Sequence, residues 1–287
     1  MRIAVLSGKG GSGKTLVSVN LSVVAPSVSY VDCDVEEPNG HLFLRPNHVK
    51  SQTVYRRIPN IDSRLCTKCR ACTDFCRFHA LAFAGEEVFV FREICHSCGG
   101  CSLVCDAGAI REEEIAIGEI RIGKSEQVSV FSGMMNTGES SGIMIIRELL
   151  MTSHDASEDT VIDCPPGSGC LVMESVRNAD YCVLVAEPTV FGVHNLEMVY
   201  TLVKMQGKPC GVILNKSVQG ENPTEKFCKE NQIRILADIP YDRELDRMTS
   251  DARIAAREDA TYKGIFEAIL ARIRKEVNHE ATTYLKR

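Results

Sequence analysis

The chain begins with a short apolar run, RIAVLS, that passes through SGKGGSGKT directly into the helical pattern KTLVSVNLSVV. A strand, a glycine-rich turn and a helix in immediate succession constrain the fold more than any other stretch. The helix has to cross back over a sheet in which its strand runs parallel to a neighbour. Residues Gly8 to Thr15 satisfy G-x-x-x-x-G-K-[ST] in that setting. The spacing has a chemical reason. Gly8, Gly10, Gly11 and Gly13, with Ser12 among them, let successive backbone N–H groups curl around phosphate oxygens, and the helix N-terminus adds positive potential. Lys14 then reaches the β and γ oxygens, and Thr15 offers a hydroxyl to Mg2+.

Beyond the loop, β-rich runs keep alternating with helical ones. VSYVDCD, VSVFS, TVIDCPP, ADYCVLVAEP, CGVILNK and IRILADIP each read as a strand closed by a turn signal, with SGIMIIRELL and VHNLEMVYTLVKM as helices between them. This predicts an α/β P-loop NTPase with a mostly parallel sheet and helices on both faces. Near the end, Ile265, Ile269, Ile273 and Val277 recur every four residues, which predicts a helix packing one apolar stripe against the sheet. A chain of 287 residues buries such a core without staples. Its net charge of -5 offers no footprint for nucleic acid. Apolar runs such as Tyr181 to Ala186 fall far short of a membrane span, and no signal-peptide pattern precedes the first strand. A cytoplasmic location without membrane or nucleic-acid partners is expected.

From Asn60 to Gly118 the pattern changes. Eight of the fourteen cysteines lie between Cys66 and Cys105, in two sets of identical spacing. Cys66, Cys69, Cys72 and Cys76 form C-x2-C-x2-C-x3-C, and Cys95, Cys98, Cys101 and Cys105 repeat it 29 residues later. This is the spacing of bacterial two-cluster ferredoxins, in which three cysteines grip one [4Fe-4S] cubane and the fourth reaches the other. Cluster one is then expected on Cys66, Cys69, Cys72 and Cys105, and cluster two on Cys95, Cys98, Cys101 and Cys76, with the x3 step starting a helix toward the partner cluster. Paired C-x2-C motifs also bind zinc, but the duplicated set of four favours iron–sulfur. Proline usually follows the fourth cysteine; here Arg77 and Asp106 do, and their charges are expected to favour reduction of cluster two and oppose that of cluster one. The domain expectation is a discontinuous ATPase domain, 1–59 and 119–287, carrying an inserted small α+β ferredoxin domain, 60–118. The other cysteines, Cys33, Cys164, Cys170, Cys182, Cys210 and Cys228, mostly read as small buried hydrophobes.

Lys9, a second lysine inside the phosphate loop, resembles the deviant Walker motif of the MinD, ParA and nitrogenase iron-protein group of ATPases. The resemblance implies an ATP-dependent sandwich dimer in which Lys9 reaches the facing nucleotide. It also implies that Asp34, in VDCDVEEPN, orients the attacking water with Asp32 in support, and that Asp163, in VIDCPPG, joins Thr15 around Mg2+. Pro165 to Gly167 resemble a switch loop, Asn215 an adenine-contacting asparagine, and Pro240 the segment lining the other side of the base. Lys9, Lys14, Asp34 and Asp163 are the expected catalytic set. ATP rather than GTP follows from the same resemblance.

The phosphate loop, DCDVEEPN, both cysteine sets, GESSG, DCPPGSGC and AEPT occur in one order that resembles MinD-superfamily ATPases with an inserted ferredoxin domain. What the resemblance implies is an ATPase using ATP/ADP, Mg2+ and two [4Fe-4S] clusters, in which closure of a homodimer, or of a heterodimer with a paralogue, gates electron transfer to a redox protein. The alternative is an iron–sulfur assembly or carrier ATPase that hands clusters to an apo-acceptor, though no C-x-x-C follows Cys105 as such scaffolds have. A MinD-like positioning switch needs a membrane-binding tail, and NHEATTYLKR is polar and charged. Cys170 lies seven residues beyond Asp163, where the nitrogenase iron protein has a ligand of its bridging cluster, but no matching cysteine occurs in FSGMMNTGESSG.

Overall fold

In the computed structural model, β1 (Arg2–Leu6) and α1 (Lys14–Val24) flank the glycine loop, and β1 occupies the interior of a nine-stranded sheet. The structure describes residues 1–154 and 159–284, the last six as backbone; the end of the polar stretch NHEATTYLKR lies outside the described residues. The N-terminal half continues with β2 (Val28–Asp32), α2 (Gly40–Leu44), β3 (Asn47–Ile61), α3 (Ala71–Phe75), β4 (Leu81–Ala84), β5 (Glu87–Val90), a 3-10 turn (Arg92–Ile94), α4 (Gly100–Leu103), β6 (Ile110–Ser125), β7 (Val128–Met135) and α5 (Ile143–Thr152). After it come β8 (Asp159–Asp163), α6 (Cys170–Val176), β9 (Tyr181–Ala186), α7 (Val190–Met205), β10 (Cys210–Ser217), α8 (Pro223–Glu230), β11 (Arg234–Pro240), α9 (Arg243–Ser250), α10 (Ala255–Glu258) and α11 (Ala260–Tyr284).

Strand order is β11-β10-β9-β1-β8-β2-β7-β6-β3, parallel from β11 to β7 and antiparallel at β7/β6 and β6/β3. The parallel strands read as continuous apolar runs because both faces are covered. One core contains α1, α9, α10 and α11; the other contains α5, α6, α7 and α8. On α11 the buried residues are Phe266, Ile269, Leu270 and Ile273, while Ile265 and Val277 pack at the margin. A four-residue step overshoots the 3.6-residue turn, so the expected stripe drifts off the contact line and Phe266 and Leu270 fill it. Among the described residues no helix is long and apolar enough to cross a membrane.

The long antiparallel ribbon β3/β6 was not foreseen from the sequence. It runs through both expected boundaries, 59/60 and 118/119. Gly118–Ser125 of β6 also pair with β7, whereas among the described residues Ile110–Ala116 have β3 as sole strand neighbour, and the ribbon carries residues 62–109 beyond the main sheet. There a hairpin, β4/β5, turns at Gly85 and Glu86, both left-handed at φ 57 and 68. Its core is small, with Cys72, Leu81 and Ile110 as its buried members. The helices α3 and α4 enclose the third cysteine of each set and end at or just before the fourth, rather than starting there as expected. Arg70 and Gly99, left-handed at the N-caps, start the helices early.

Candidate functional site

Loops at the C-terminal ends of β1, β2 and β8 converge, as open parallel sheets bring them together for ligands. The glycine loop is shaped by its neighbours. A Cβ on Gly8 would run into the Asn195 carbonyl, and one on Gly13, at φ 96, into the Asn215 side-chain amide. Gly10 and Gly11 instead face open space. α1 has no side-chain N-cap, so its first-turn N–H groups remain for an anion held by the loop. These features fit a bound phosphate chain.

Beneath the loop, register sets Asp32 of β2 opposite Asp163 of β8. Lys14 Nζ donates to Asp163 Oδ1 at 2.5 Å, and both side chains are buried. Burial alone would lower the Lys14 ammonium; the charge and hydrogen bond of Asp163, with Asp32 and Asp34 behind it, raise it. Tyr30 O–H donates to the other oxygen, Asp163 Oδ2, at 2.9 Å. Asp32 accepts from the backbone N–H groups of Asp34, Asn39 and Gly40 at 3.2, 3.1 and 2.9 Å. Burial, then the charge of Asp163, pushes the Asp32 carboxyl up to about 7. Asp32 is thus engaged in holding the turn after β2, while Asp34 on that turn is half-buried, its carboxyl raised by burial with Lys14 opposing.

Thr15 is half-buried at the head of α1, and Lys9 is exposed on the loop. Ser12 is buried, and its carbonyl accepts from Asn215 Nδ2 at 2.8 Å. Lys216, which no motif singles out, donates to Gly11 O and to Glu187 Oε1, each at 3.0 Å, and so buttresses the loop. Pro240 is exposed at the end of β11. Cys33, Cys164, Cys182 and Cys228 are buried, Cys210 half-buried, and Cys170 exposed at the start of α6.

The eight clustered cysteines fall around two cavities. Cys66, Cys69, Cys72 and Cys105 line one, and Cys76, Cys95, Cys98 and Cys101 line the other. Burial pushes the Cys72 thiol up, with Cys105 and Cys66 adding to it; Cys101 is raised in the same way, with Cys95 and Cys98 near it. The two loops share a backbone. Lys68 and Ser97, Arg70 and Gly99, and His79 and Gly108 are all left-handed, each pair 29 residues apart. Arg77 lines the second cavity, whereas Asp106 lines neither. Among the described residues, no group of three or more His, Cys, Asp or Glu side chains closes on one point as ligands of a single ion would.

A loop joins these regions. Met135 N–H donates to Val35 O at 2.8 Å, directly after Asp34, and a Cβ on Gly142 would run into the Val35 side chain. Between those points, Ser140 Oγ donates to Glu93 O, two residues before Cys95, and Glu139 pairs with Arg56 of β3 at 3.1 Å.

The profile of the CobQ/CobB/MinD/ParA nucleotide binding domain matches residues 3–253. The chain belongs to this family. Within it, the chain is 31% identical over 211 residues to Uncharacterized protein MJ0578 of Methanocaldococcus jannaschii, covering 70% of this chain and 73% of that one. It is 28% identical over 221 residues to Uncharacterized protein MJ0579 of the same organism, covering 75% and 80%. The fold is also that of the septum site-determining protein MinD of Pyrococcus horikoshii, solved with Mg-ADP, at 20% identity and TM-score 0.59 over 95% of both chains.

Proposed function

We propose that this CobQ/CobB/MinD/ParA-family chain is an ATP-hydrolysing iron–sulfur protein in which nucleotide-dependent closure of a dimer controls electron transfer through two [4Fe-4S] clusters. The observation that carries the reading is the crossed grouping of the cysteines, in which the fourth of each set joins the cavity of the other. The left-handed turns in both loops add support, since such turns aim backbone N–H groups at anions, and thiolate-ligated clusters are anionic.

In this reading Lys14 and the loop N–H groups hold the phosphates, and Thr15 and Asp163 bracket Mg2+, as the Mg-ADP of the Pyrococcus MinD suggests by fold. Asp34 orients water, and exposed Lys9 is free to reach a facing subunit, identical or paralogous. The clusters, when bound, would supply one-electron carriers. The unit 60–118 is the electron-transfer insertion. The loop 136–142, with Val35 against both of its ends and Glu93 beside Ser140, would be the physical connection between them.

A second reading, cluster delivery to an apo-acceptor, is favoured by one observation: Cys69 and Cys98 are exposed, so one edge of each cavity is open to an incoming thiol. Anaerobic purification with iron and sulfide counts is the first test, with about eight irons per chain expected for two cubanes. The reduction rate of the clusters is then compared with ADP and with a non-hydrolysable ATP analogue. Equal rates would remove the coupling, and rapid cluster loss to apo-ferredoxin would favour delivery.

A further inference from the structure

We propose that Tyr30 is a positioning residue of the nucleotide site, whose phenol fixes the orientation in which Asp163 faces Lys14 and a phosphate-bound Mg2+. The inference rests on the phosphate-loop reading of that site and concerns a residue that no motif marks. Tyr30 lies in the middle of β2, opposite Val161 and therefore one pleat short of Asp163 on the same face of β8. Valine or isoleucine is the economical choice at such a position, buried on a parallel strand. A phenol buried there is costly unless its hydroxyl finds a partner. Its partner is Asp163 Oδ2, at 2.9 Å.

Because Lys14 holds Oδ1, the two oxygens are pinned from opposite sides and the carboxylate plane cannot turn. The phenol is itself seated. Gly40 leaves it room, since a Cβ there would run into the Tyr30 hydroxyl. The Gly40 N–H that adjoins this seat donates to Asp32. One phenol thus links the turn after β2 and the end of β8. Outer partners of this kind fix the orientation of metal-facing carboxylates, and their loss typically costs about tenfold or more in metal affinity.

The test uses the full chain, with ADP affinity measured by calorimetry in EDTA and Mn2+ affinity of the ADP-loaded protein measured by electron paramagnetic resonance. Tyr30→Phe should weaken Mn2+ about tenfold and leave ADP affinity in EDTA within about twofold. Unchanged Mn2+ affinity, or an equal fall in both constants, overturns the proposal, the second because it marks general loosening. Tyr30→Phe also bares a buried carboxylate oxygen. Should it fail to fold, Gly40→Ala, whose Cβ would run into the Tyr30 hydroxyl, displaces the same phenol and should weaken Mn2+ about tenfold with ADP affinity in EDTA kept; no change there overturns the proposal. A wild-type chain that binds no ADP refutes the site itself, whereas wild-type binding with unaffected variants refutes the role of Tyr30 alone.

Discussion

The nucleotide loop and the cysteine loops both present backbone N–H groups through left-handed residues, but they are held in opposite ways. The first is gripped from below by a buried sheet: Lys14, Asp32, Asp163 and Tyr30 are almost wholly enclosed. The second hangs from one end of a ribbon over a core with three buried members. It also contains five non-glycine residues in the left-handed region, Lys68, Arg70, His79, Glu86 and Ser97. At about 1 kcal/mol or more apiece, that strain is large against so small a core. The contrast teaches that the nucleotide site is organised by the fold, whereas under the proposed function the cysteine loops would depend on bound clusters to keep their shape.

The sharpest test of the comparison is Lys14→Ala. It leaves Asp163 buried without its cation, so the nucleotide-binding core should lose about 3–5 kcal/mol in urea unfolding along with nucleotide binding, while the iron content expected under the proposed function stays unchanged. Loss of iron in this variant would break the comparison, by showing that the two regions fold as one. Next comes the converse. Chelation of iron should open residues 62–109 to protease while thermal unfolding of the sheet stays in place, and Cys66→Ser should leave about half the iron, since it strips one cluster of the pair.

A smaller effect concerns pH. The folded chain keeps the Asp32 proton up to about 7, whereas the unfolded chain releases it near 3.8. Stability from this group is therefore fully present below 3.8 and is lost as pH rises through about 7. Urea unfolding at a series of pH values should show that decline in the wild type, and Asp32→Asn should flatten it. The smallest effect separates the two cavities. Arg77→Pro should lower the midpoint potential of cluster two measurably, and Asp106→Pro should raise that of cluster one by less, because Arg77 lines its cavity and Asp106 does not. Unmoved potentials in both variants would remove the charge asymmetry.

The glycine loop and the parallel strands were legible because each carries its signal locally, as a short motif or a continuous apolar run. The ribbon was not. Its outer half places Glu112, Glu113 and Glu114 opposite Pro59, Ile58 and Arg57, with solvent on much of its surface, so no period-2 alternation marks it as a strand. Tyr30 carries no signal of its own in the sequence, because an aromatic residue is ordinary in a strand, and only the register that puts it beside Asp163 gives it a task. Lys216 and the Ser140–Glu93 contact depend on loops brought together from distant parts of the chain, which no local pattern encodes. The cysteine spacing was readable, since spacing and duplication are properties of the linear chain.

The β3/β6 ribbon has one further consequence. Its outer part, Ile110–Ala116 with its partner residues, is braced by no third strand, and seven residues of strand reach roughly 20–25 Å. Under the proposed function such a ribbon, tied to the loop 136–142 through Arg56–Glu139 and Asn136–Ala116, would act as a lever arm hinged where β6 meets β7. A tilt at the hinge too slight to break a hydrogen bond becomes a displacement at the tip, and tunnelling rates fall off exponentially with separation. The sheet edge would thus serve as a gear, turning a small rotation beside Val35 into a large change in how near a donor or acceptor can come.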